Sequence, residues 1–362
     1  MNFSDHMFQV DYSLELGGWQ KPKITPYAPF PVHTTASCLH YAINHFEGLS
    51  VYQNKESGVA QAFRVEDTLQ SFYDSADYLD MPLFDKNELM KCLGELIKLE
   101  YKWFPQIDKI DFHQDRLGNK LKSLIGIDDE SRLDRKKLKP QLYVRLVHIS
   151  TYKVLGIKSS QETKLYAIVN PTIIDESDLK VKCSSNVVKS WPLGHGRLRL
   201  SGNLGSLLPT VQEAKEQGYD DILWMLDDYV KELTVQNVFI YWKSRYGQRE
   251  LIIPQSNGCI FEGLIRKTVI DLKDEIEQDT GAKIVVRDVS IHELISAYRE
   301  FRLIEMFSSS SSSKIQSISR LIYKDNLMEL NPDQYLANFI RQKFDDITTT
   351  NIKPQFITQF TD

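Results

Sequence analysis

Paired thiols, long apolar runs and a dominant charge are all missing from this 362-residue chain. Its four cysteines, Cys38, Cys92, Cys183 and Cys259, form no C-x-x-C pair, which argues against a disulfide framework or a thiolate zinc site and favours a reducing compartment. Lys plus Arg is 44 and Asp plus Glu is 49, so the formal net charge of −5 offers no basic footprint for a nucleic acid. No apolar run reaches the roughly 18 residues that a membrane-spanning helix needs.

Core-forming residues, in contrast, are abundant. Hydrophobic residues make up 42% of the chain and aromatic residues 11%, which argues against an intrinsically disordered protein. A length of 362 residues predicts two or three domains at about 150 residues each. Residues 1–12 show neither a secretory apolar region nor the Arg- and Ser-rich character of a transit peptide, so they do not identify the compartment.

Local patterns in the first half predict a mixture of strands and capped helices. Asp85, followed three residues later by Glu88, fits a capping box at the start of an apolar-periodic helix. Residues 141–148 alternate with a period of two, which predicts a strand with its even-numbered apolar side chains on one face. Residues 165–169 predict another strand, which we expect Asn170-Pro171 to end.

The second half predicts a further α/β domain after an acidic, aperiodic segment. We place domains at 1–170 and 182–362, with 171–181 as the linker. The expected elements are a helix from Thr210 ended by Gly218, strands at 222–226 and 237–242, a helix capped by Ser290, and a last helix opened by Asn331-Pro332. The serine run Ser308–Ser313 is predicted to be a loop inside this domain.

Spacing alone names no chemistry. His40 and His45 are five residues apart and do not share a helix face, so no metal site is expected. His292-Glu293 lacks the second histidine of a metalloprotease helix. Gly194-x-Gly196 is neither a Walker loop nor a dinucleotide fingerprint, and its glycines leave close approach to a ligand open.

Several short stretches in consistent order resemble branched-chain amino acid aminotransferases. They are residues 18–48, Pro82-Leu-Phe-Asp-Lys86, Leu142-Tyr-Val-Arg145, Gly263-x-x-Arg266 and Leu321-Ile-Tyr-Lys-Asp325. The resemblance implies an α/β (α+β) protein of fold type IV, with a small N-terminal α/β domain and a larger barrel-like C-terminal domain. It also implies a homodimer and a family cofactor, pyridoxal phosphate, held at the domain interface.

The family's cofactor lysine falls on Arg199. The family loop reads Gly-x-Gly-x-x-Lys-Leu-Gly-Gly-Asn-Tyr, and Gly194 through Leu204 matches it with an arginine at the lysine position. The lysine must lose a proton to attack the cofactor aldehyde, whereas arginine stays protonated at any working pH. We therefore expect no catalytic residue at this position.

Other cofactor contacts of the family are also replaced. The resemblance puts Ser71 where the phosphate-gripping arginine belongs, and Leu204 where a tyrosine contacts the cofactor. Ser311 matches the phosphate-binding threonine, while Ser308 and Ser310 stand where the family has glycines. If those glycines need positive φ, the serines penalise the loop.

Several family positions are kept. Glu232 matches the glutamate that pairs with the pyridine nitrogen, and Leu264 and Ile265 match residues whose backbone amides contact phosphate. The substrate-lining positions correspond to Tyr41, Phe46, Tyr143 and Arg145. We interpret these as vestigial positions retained mainly through packing.

The predicted function is therefore that of a pseudoenzyme, with no cofactor and no metal. We expect a homodimeric accessory subunit of a mitochondrial assembly, such as the ATP synthase or a respiratory complex, without nucleic acid or a transmembrane segment of its own. A cytoplasmic location is the alternative. Two other functions stay open: an active pyridoxal-phosphate-dependent branched-chain transaminase, and a sensor that binds a phosphate-bearing ligand non-covalently.

Overall fold

The computed structural model describes residues 3–106, 139–174, 176–184, 186–330 and 334–360. The chain forms two compact units. The first comprises Met1–Asp175, Arg199–Gly202 and Asp345–Asp362, and the second comprises Glu176–Leu198 and Asn203–Phe344. The short segment Arg199–Gly202 thus belongs to the first unit although its neighbours in sequence belong to the second. The continuous domain boundaries expected from the sequence stay a prediction.

Both strands and helices occur in each part of the described chain. The strands are β1 His6–Ser13, β2 Gly18–Trp19, β3 Lys23–Pro26, β4 Asn44–Gln53, β5 Ala60–Phe63, β6 Lys139–Ser150, β7 Glu162–Ile174, β8 Leu179–Cys183, β9 Asp221–Leu226, β10 Tyr229–Glu232, β11 Asn237–Lys243, β12 Arg249–Ile253, β13 Lys283–Val286, β14 Leu303–Ser310, β15 Lys314–Tyr323, β16 Asn326–Glu329 and β17 Ile357–Phe360. The α-helices are α1 Ser37–Tyr41, α2 Val65–Tyr78, α3 Lys86–Glu100, α4 Gly202–Gly205, α5 Leu208–Glu216, α6 Leu264–Asp271, α7 Lys273–Thr280, α8 Ile291–Arg299 and α9 Tyr335–Thr349.

The first unit is built on an antiparallel sheet with the strand order β17-β5-β4-β6-β7-β1-β2, and β3 pairs with β1. Leu142, Val144 and Leu146 of β6 are fully buried, which confirms the predicted alternation of residues 141–148. They share one core with Phe72 of α2 and Leu93 of α3. Because burial of one sheet face demands a period of two, the sequence pattern specified this strand well.

Helix α3 begins where its capping residue predicts. The Asp85 carboxylate accepts hydrogen bonds from the backbone N–H groups of Asn87 at 2.8 Å and Glu88 at 3.0 Å. These are two of the amides that the first helical turn leaves without an intrahelical partner. The predicted N-terminus at Asp85 is confirmed.

The predicted break at Asn170-Pro171 is wrong. Strand β7 continues to Ile174, with Pro171 opposite Leu142 and Asn170 opposite Tyr143 on β6. The ladder between β1 and β7 ends at Ile168, so Pro171 lies beyond the β1 ladder. Proline is tolerated where a strand has one unpaired side, because its missing N–H is then not needed for a ladder hydrogen bond. Asn170-Pro171 therefore does not end the strand.

The second unit contains a closed barrel. Its strands follow the order β10-β9-β8-β15-β14-β11, and the pairing of β10 with β11 closes the circle. That closing contact places Glu232 opposite Asn237. Strands β12, β13 and β16 extend the sheet beyond the closed part. The closed barrel confirms the predicted barrel-like architecture.

Most predicted elements of the second half are present. Strands β9 and β11 lie where expected, and the Ser290 hydroxyl caps α8 by accepting a hydrogen bond from the Glu293 N–H at 3.1 Å. Helix α5 begins at Leu208, slightly before the predicted Thr210, with a proline in its first turn. The predicted start of the last helix at Asn331-Pro332 lies outside the described residues.

The structure also bears on the cysteines and on membrane insertion. Cys38, Cys92, Cys183 and Cys259 are all free thiols. Within the part of the chain that the structure describes, no helix is both long enough and apolar enough to cross a membrane.

Candidate functional site

The segment that carries Arg199 lies beside the start of β4 in the first unit. The Phe46 N–H donates to the Arg199 carbonyl at 3.2 Å, and the Ser201 N–H donates to the Asn44 carbonyl at 3.2 Å. A bridge between His45 and Leu200 lies between these two bonds. Residues 199–201 are therefore held against the start of β4 by two backbone hydrogen bonds.

The Arg199 side chain forms an ion pair with a buried glutamate. Its Nε lies 3.5 Å from Glu47 Oε2, and the Glu47 side chain is 6% exposed. The other carboxylate oxygen accepts a hydrogen bond from the Ser71 hydroxyl at 2.7 Å. Burial raises the pKa of Glu47, and the nearby Arg199 charge and the Ser71 hydrogen bond oppose that rise. Arg199 and Ser71, which the resemblance matches to cofactor contacts, thus both contact the Glu47 carboxylate.

Three of the four residues that the resemblance matches to the substrate pocket, Phe46, Tyr143 and Arg145, lie together, with Arg145 in contact with the other two. The Arg145 guanidinium lies 4.5 Å from the Phe46 ring centroid and 5.2 Å from that of Tyr143. The Tyr143 ring covers Gly48, where an added Cβ would lie 1.9 Å from the phenol oxygen. Tyr41 is the last residue of α1 and is 38% exposed. In the first unit, Phe46, Tyr143 and Arg145 therefore form one contacting group around a required glycine.

In the second unit, Glu232 is buried at the seam of the barrel and is already paired. The Lys189 ammonium donates to Glu232 Oε1 at 2.8 Å and to the Thr234 carbonyl at 2.8 Å. Glu232 Oε2 accepts the Phe261 N–H at 3.2 Å. The side chains of Lys189 and Glu232 are 9% and 3% exposed. A buried charge of this kind persists only with a partner, and Lys189 supplies it.

Helix α6 presents an N-terminus suited to an anion. Its N-cap, Gly263, provides no capping side chain, and the first turn holds no acidic residue. The Gly263 N–H donates to Asn237 Oδ1 at 3.0 Å, which attaches this end to the barrel seam. Leu264 and Ile265 are the first residues of the helix, where amides point outward and the helix dipole favours negative charge. These two residues fit a phosphate group.

The serine run forms the end of one strand and a turn. Ser308, Ser309 and Ser310 belong to β14, and Ser311 lies in the turn before β15. Neither Ser308 nor Ser310 has positive φ; that conformation occurs at Lys314, with φ of 52°. The penalty expected for serines in place of glycines therefore does not arise in this turn, and Ser311 keeps a hydroxyl there.

Two other predicted positions have packing roles. Leu204 of α4 packs against a core formed by Leu207, Ala214, Ile222 and Trp224, so the position of the family tyrosine serves the interior of the second unit. An added Cβ on Gly196 would lie 2.6 Å from the Ser190 Cβ. Close packing accounts for the glycine at position 196.

Sequence similarity decides the family. The family model described as amino-transferase class IV matches residues 44–321. The chain belongs to the class IV aminotransferase family. The matched segment spans the Arg199 segment, the Glu232 seam and the α6 N-terminus described above.

Curated relatives of this class IV protein are branched-chain aminotransferases. The cytosolic branched-chain-amino-acid aminotransferase of Ovis aries is 29% identical over 357 residues, covering 95% of this chain and 83% of the relative. The mitochondrial enzyme of Schizosaccharomyces pombe is 27% identical over 335 residues, covering 91% of this chain and 71% of the relative. The chain is thus a branched-chain-aminotransferase-like member of the class IV family.

Solved structures share the fold. The holo form of the Thermobaculum terrenum branched-chain amino acid aminotransferase, with pyridoxal phosphate, has a TM-score of 0.72 at 17% identity and covers 100% of both chains. The Thermoproteus uzoniensis branched-chain aminotransferase with norvaline has a TM-score of 0.67 at 18% identity, and the match covers 94% of this chain and 97% of that one. The predicted fold type IV architecture is confirmed.

The expectation that no cofactor is used is wrong. The structural neighbours include pyridoxal phosphate, pyridoxamine phosphate and phosphopyridoxyl-glutamate forms, and the chain shares their family and fold. The sequence argument rested on the family side chains that the resemblance counts as replaced at Arg199, Ser71 and Leu204. Backbone amides such as those of Leu264 and Ile265 do not depend on side-chain identity, so a phosphate site can outlast those losses.

Sequence reasoning missed Glu47 and the partner of Lys189. Glu47 is the acidic residue of the largely buried strand β4, and an acidic residue in a buried strand is a usable signal for a buried ion pair. Lys189 and Glu232 are far apart in sequence, and only the folded barrel brings them together. No local pattern indicates that pair.

Proposed function

We propose that this branched-chain-aminotransferase-like protein binds pyridoxal phosphate non-covalently and does not catalyse transamination. The observation that carries the proposal is Arg199, which stands at the family's lysine position and forms an ion pair with buried Glu47. On this proposal, the groups that hold the cofactor are kept, and the lysine that would form a covalent bond to it is replaced by Arg199.

The holding groups lie in the second unit. The amides of Leu264 and Ile265 and the Ser311 hydroxyl would hold the phosphate, and Glu232, which already accepts the Lys189 ammonium, would share its carboxylate with the pyridine nitrogen. When bound in an aminotransferase, pyridoxal phosphate supplies an aldehyde that accepts the amino group and a ring that withdraws electrons from the substrate α-carbon. This chain's own groups bind and orient the phosphate and ring ends.

Arg199 cannot supply the missing chemistry. An arginine side chain keeps its proton at working pH, so it neither attacks an aldehyde nor carries a proton to and from the substrate α-carbon. Loss of positioned acid–base help alone reduces a rate by about 10²- to 10⁴-fold. We therefore infer that the protein holds the cofactor without using it for transamination.

Nearby lysines do not replace the missing one. The Lys189 ammonium donates to Glu232 and to the Thr234 carbonyl, and it is largely buried. The Lys231 ammonium donates to Asp288 at 2.8 Å. Each amine is engaged in an ion pair with a carboxylate, so neither is placed as a free nucleophile.

An active branched-chain transaminase is the second candidate, because the curated relatives carry that name. Equilibrium dialysis against pyridoxal phosphate, borohydride reduction followed by peptide mass spectrometry, and a leucine/2-oxoglutarate assay separate the two functions. We expect saturable binding, no reduced adduct on the protein and no turnover. A cofactor adduct on any lysine together with turnover of leucine supports the active enzyme, and failure to bind pyridoxal phosphate contradicts our proposal.

A biological role accompanies the proposed absence of turnover. We propose a homodimer that serves as an accessory subunit of a mitochondrial assembly, since a protein freed from catalysis keeps its folded surface. Relatives of this chain include both cytosolic and mitochondrial enzymes. Affinity purification from detergent-solubilised mitochondria tests the role, and recovery only as a free protein or from the cytosol would argue against it. Light scattering at micromolar concentration tests the dimer.

A further inference from the structure

The buried carboxylate of Glu47 carries the further inference. It lies on β4 with 6% of its side chain exposed, in contact with Ser71 of α2 and with Arg199. A serine hydroxyl supplies a hydrogen bond but no charge, so Arg199 is the ion-pair partner at this carboxylate. Removing a cation from a buried pair leaves the remaining charge strongly disfavoured.

The two substitutions from the family pattern meet at this one residue. The resemblance puts an arginine at position 71 and a lysine at position 199, whereas this chain has Ser71 and Arg199. Ser71 Oγ is 2.7 Å from Glu47 Oε1, so an arginine at position 71 would stand against the same carboxylate. The positive charge beside Glu47 would then come from α2 instead of from the 199–202 segment.

We propose that Arg199 is the counter-ion of Glu47 and that the changes at positions 71 and 199 are coupled, the charge lost at one being supplied at the other. Arg199 is on this view a positioning residue that attaches the 199–202 segment to β4. The backbone bonds from Phe46 to Arg199 and from Ser201 to Asn44 show that the attachment is already built. The coupling itself does not depend on whether a cofactor binds.

The coupling has a consequence for reconstruction of the family site. In the Arg199→Lys variant, Glu47 would hold the introduced ammonium in its charged form, and a charged amine cannot attack an aldehyde. Adding Ser71→Arg would give Glu47 another counter-ion and release the introduced amine. The amine would then form a C–N bond to the cofactor aldehyde carbon, with the oxygen leaving as water, and borohydride reduction would make that bond permanent.

Thermal unfolding tests the charge coupling without any cofactor. We expect Arg199→Met to lower Tm by roughly 5 °C or more, since a buried charge loses its partner. Ser71→Arg added to Arg199→Met should recover at least half of that loss, and Arg199→Lys should stay close to wild type. Lys189→Met is the matched control, because it removes the cation from a different buried carboxylate, Glu232, and Ser71→Arg should not rescue it.

A second pair of variants covers the case in which Arg199→Met does not fold. Glu47→Gln keeps an acceptor for Ser71 but removes the negative charge beside Arg199, so its Tm should fall, and adding Arg199→Met should raise it again. Additive losses in both pairs, or equal rescue of Lys189→Met by Ser71→Arg, would overturn the coupling.

Adduct formation with pyridoxal phosphate is the last arm, and it rests on the proposed function. After borohydride reduction, Ser71→Arg/Arg199→Lys should carry at least tenfold more cofactor at position 199 than Arg199→Lys alone. Equal labelling of the two variants would contradict the coupling. If wild type fails to bind pyridoxal phosphate in dialysis, the proposed function fails while the Tm results still decide the coupling.

Discussion

Acid should destabilise the first unit through two buried histidines. His45 of β4 and His148 of β6 are directly opposite each other and both fully buried. The His45 Nε2 and His148 Nδ1 atoms are 3.2 Å apart, and His148 Nε2 lies 2.8 Å from the Thr163 hydroxyl. The Phe72 ring centroid is 4.4 Å from that of His45. The partners in these contacts are all uncharged or another imidazole, so none of them stabilises a protonated ring.

Both rings are held neutral. Burial lowers the pKa of His148 to about 3, and burial together with the facing His148 lowers the pKa of His45 well below its usual value. A base whose pKa is depressed by folding binds its proton more readily in the unfolded chain. The stability that each neutral histidine contributes is therefore present above pH 6.5 and is lost as pH falls from 6.5 toward the folded pKa.

The size of the effect follows from the shift. The unfolded His148 takes up its proton below about pH 6.5, whereas the folded one stays neutral at pH 5. Over the interval of about 1.5 pH units, at about 1.4 kcal/mol per unit, the free energy of unfolding falls by about 2 kcal/mol. His45 acts in the same direction, so the free energy of unfolding should fall by up to about 2.7 kcal/mol per pH unit below pH 6. Other titrating groups in the chain add their own pH dependence, and the difference between wild type and a matched variant removes that contribution.

Urea unfolding between pH 7.5 and pH 5 measures this slope. His148→Gln keeps a hydrogen-bonding side chain near Thr163 but removes one titrating ring, so its curve should be flatter than wild type by about 1.4 kcal/mol per pH unit below pH 6. His33→Gln, at an exposed histidine, is the control and should leave the slope unchanged. Parallel curves for wild type and His148→Gln would refute the argument.

Three further substitutions test local features. Gly48→Ala should destabilise by about 1–3 kcal/mol in urea unfolding because its Cβ meets the Tyr143 ring, and the loss should shrink in a Tyr143→Ala background. Asp85→Ala should cost about 1 kcal/mol by removing the α3 cap, while Asp85→Asn should cost less; equal losses would contradict the capping role. Lys189→Met should cost about 3 kcal/mol by leaving Glu232 buried without its cation, and Lys189→Arg should retain most of the stability; a neutral Lys189→Met would show that Glu232 is satisfied by other groups.

Local patterns predicted the elements whose signals are contained within one turn or one strand. The cap at Asp85 and the alternation of residues 141–148 were both found, because capping and one-sided burial act over a few residues. The break expected at Pro171 was not found. Whether a proline ends a strand depends on whether the neighbouring ladder reaches it, and sequence does not show the length of that ladder.

For the site as well, local sequence signals were informative and properties that depend on the folded chain were not. The order of short motifs indicated the family that the class IV match confirms, while the assignment of Arg199 to the family's lysine position stays a prediction. The expectation of cofactor loss was wrong because it counted side chains and undervalued backbone amides at the α6 N-terminus.

By itself, the sequence determined the family, the periodic elements and the identity of the residue at position 199. Only the tertiary structure decided what that residue does: β4 and the 199–202 segment bring Arg199 to Glu47, and the closing of the barrel brings Glu232 near Lys189. Ion pairs between residues distant in sequence arise from strand order and register. Those properties are set by the packing of the whole sheet, so no window of the sequence contains them.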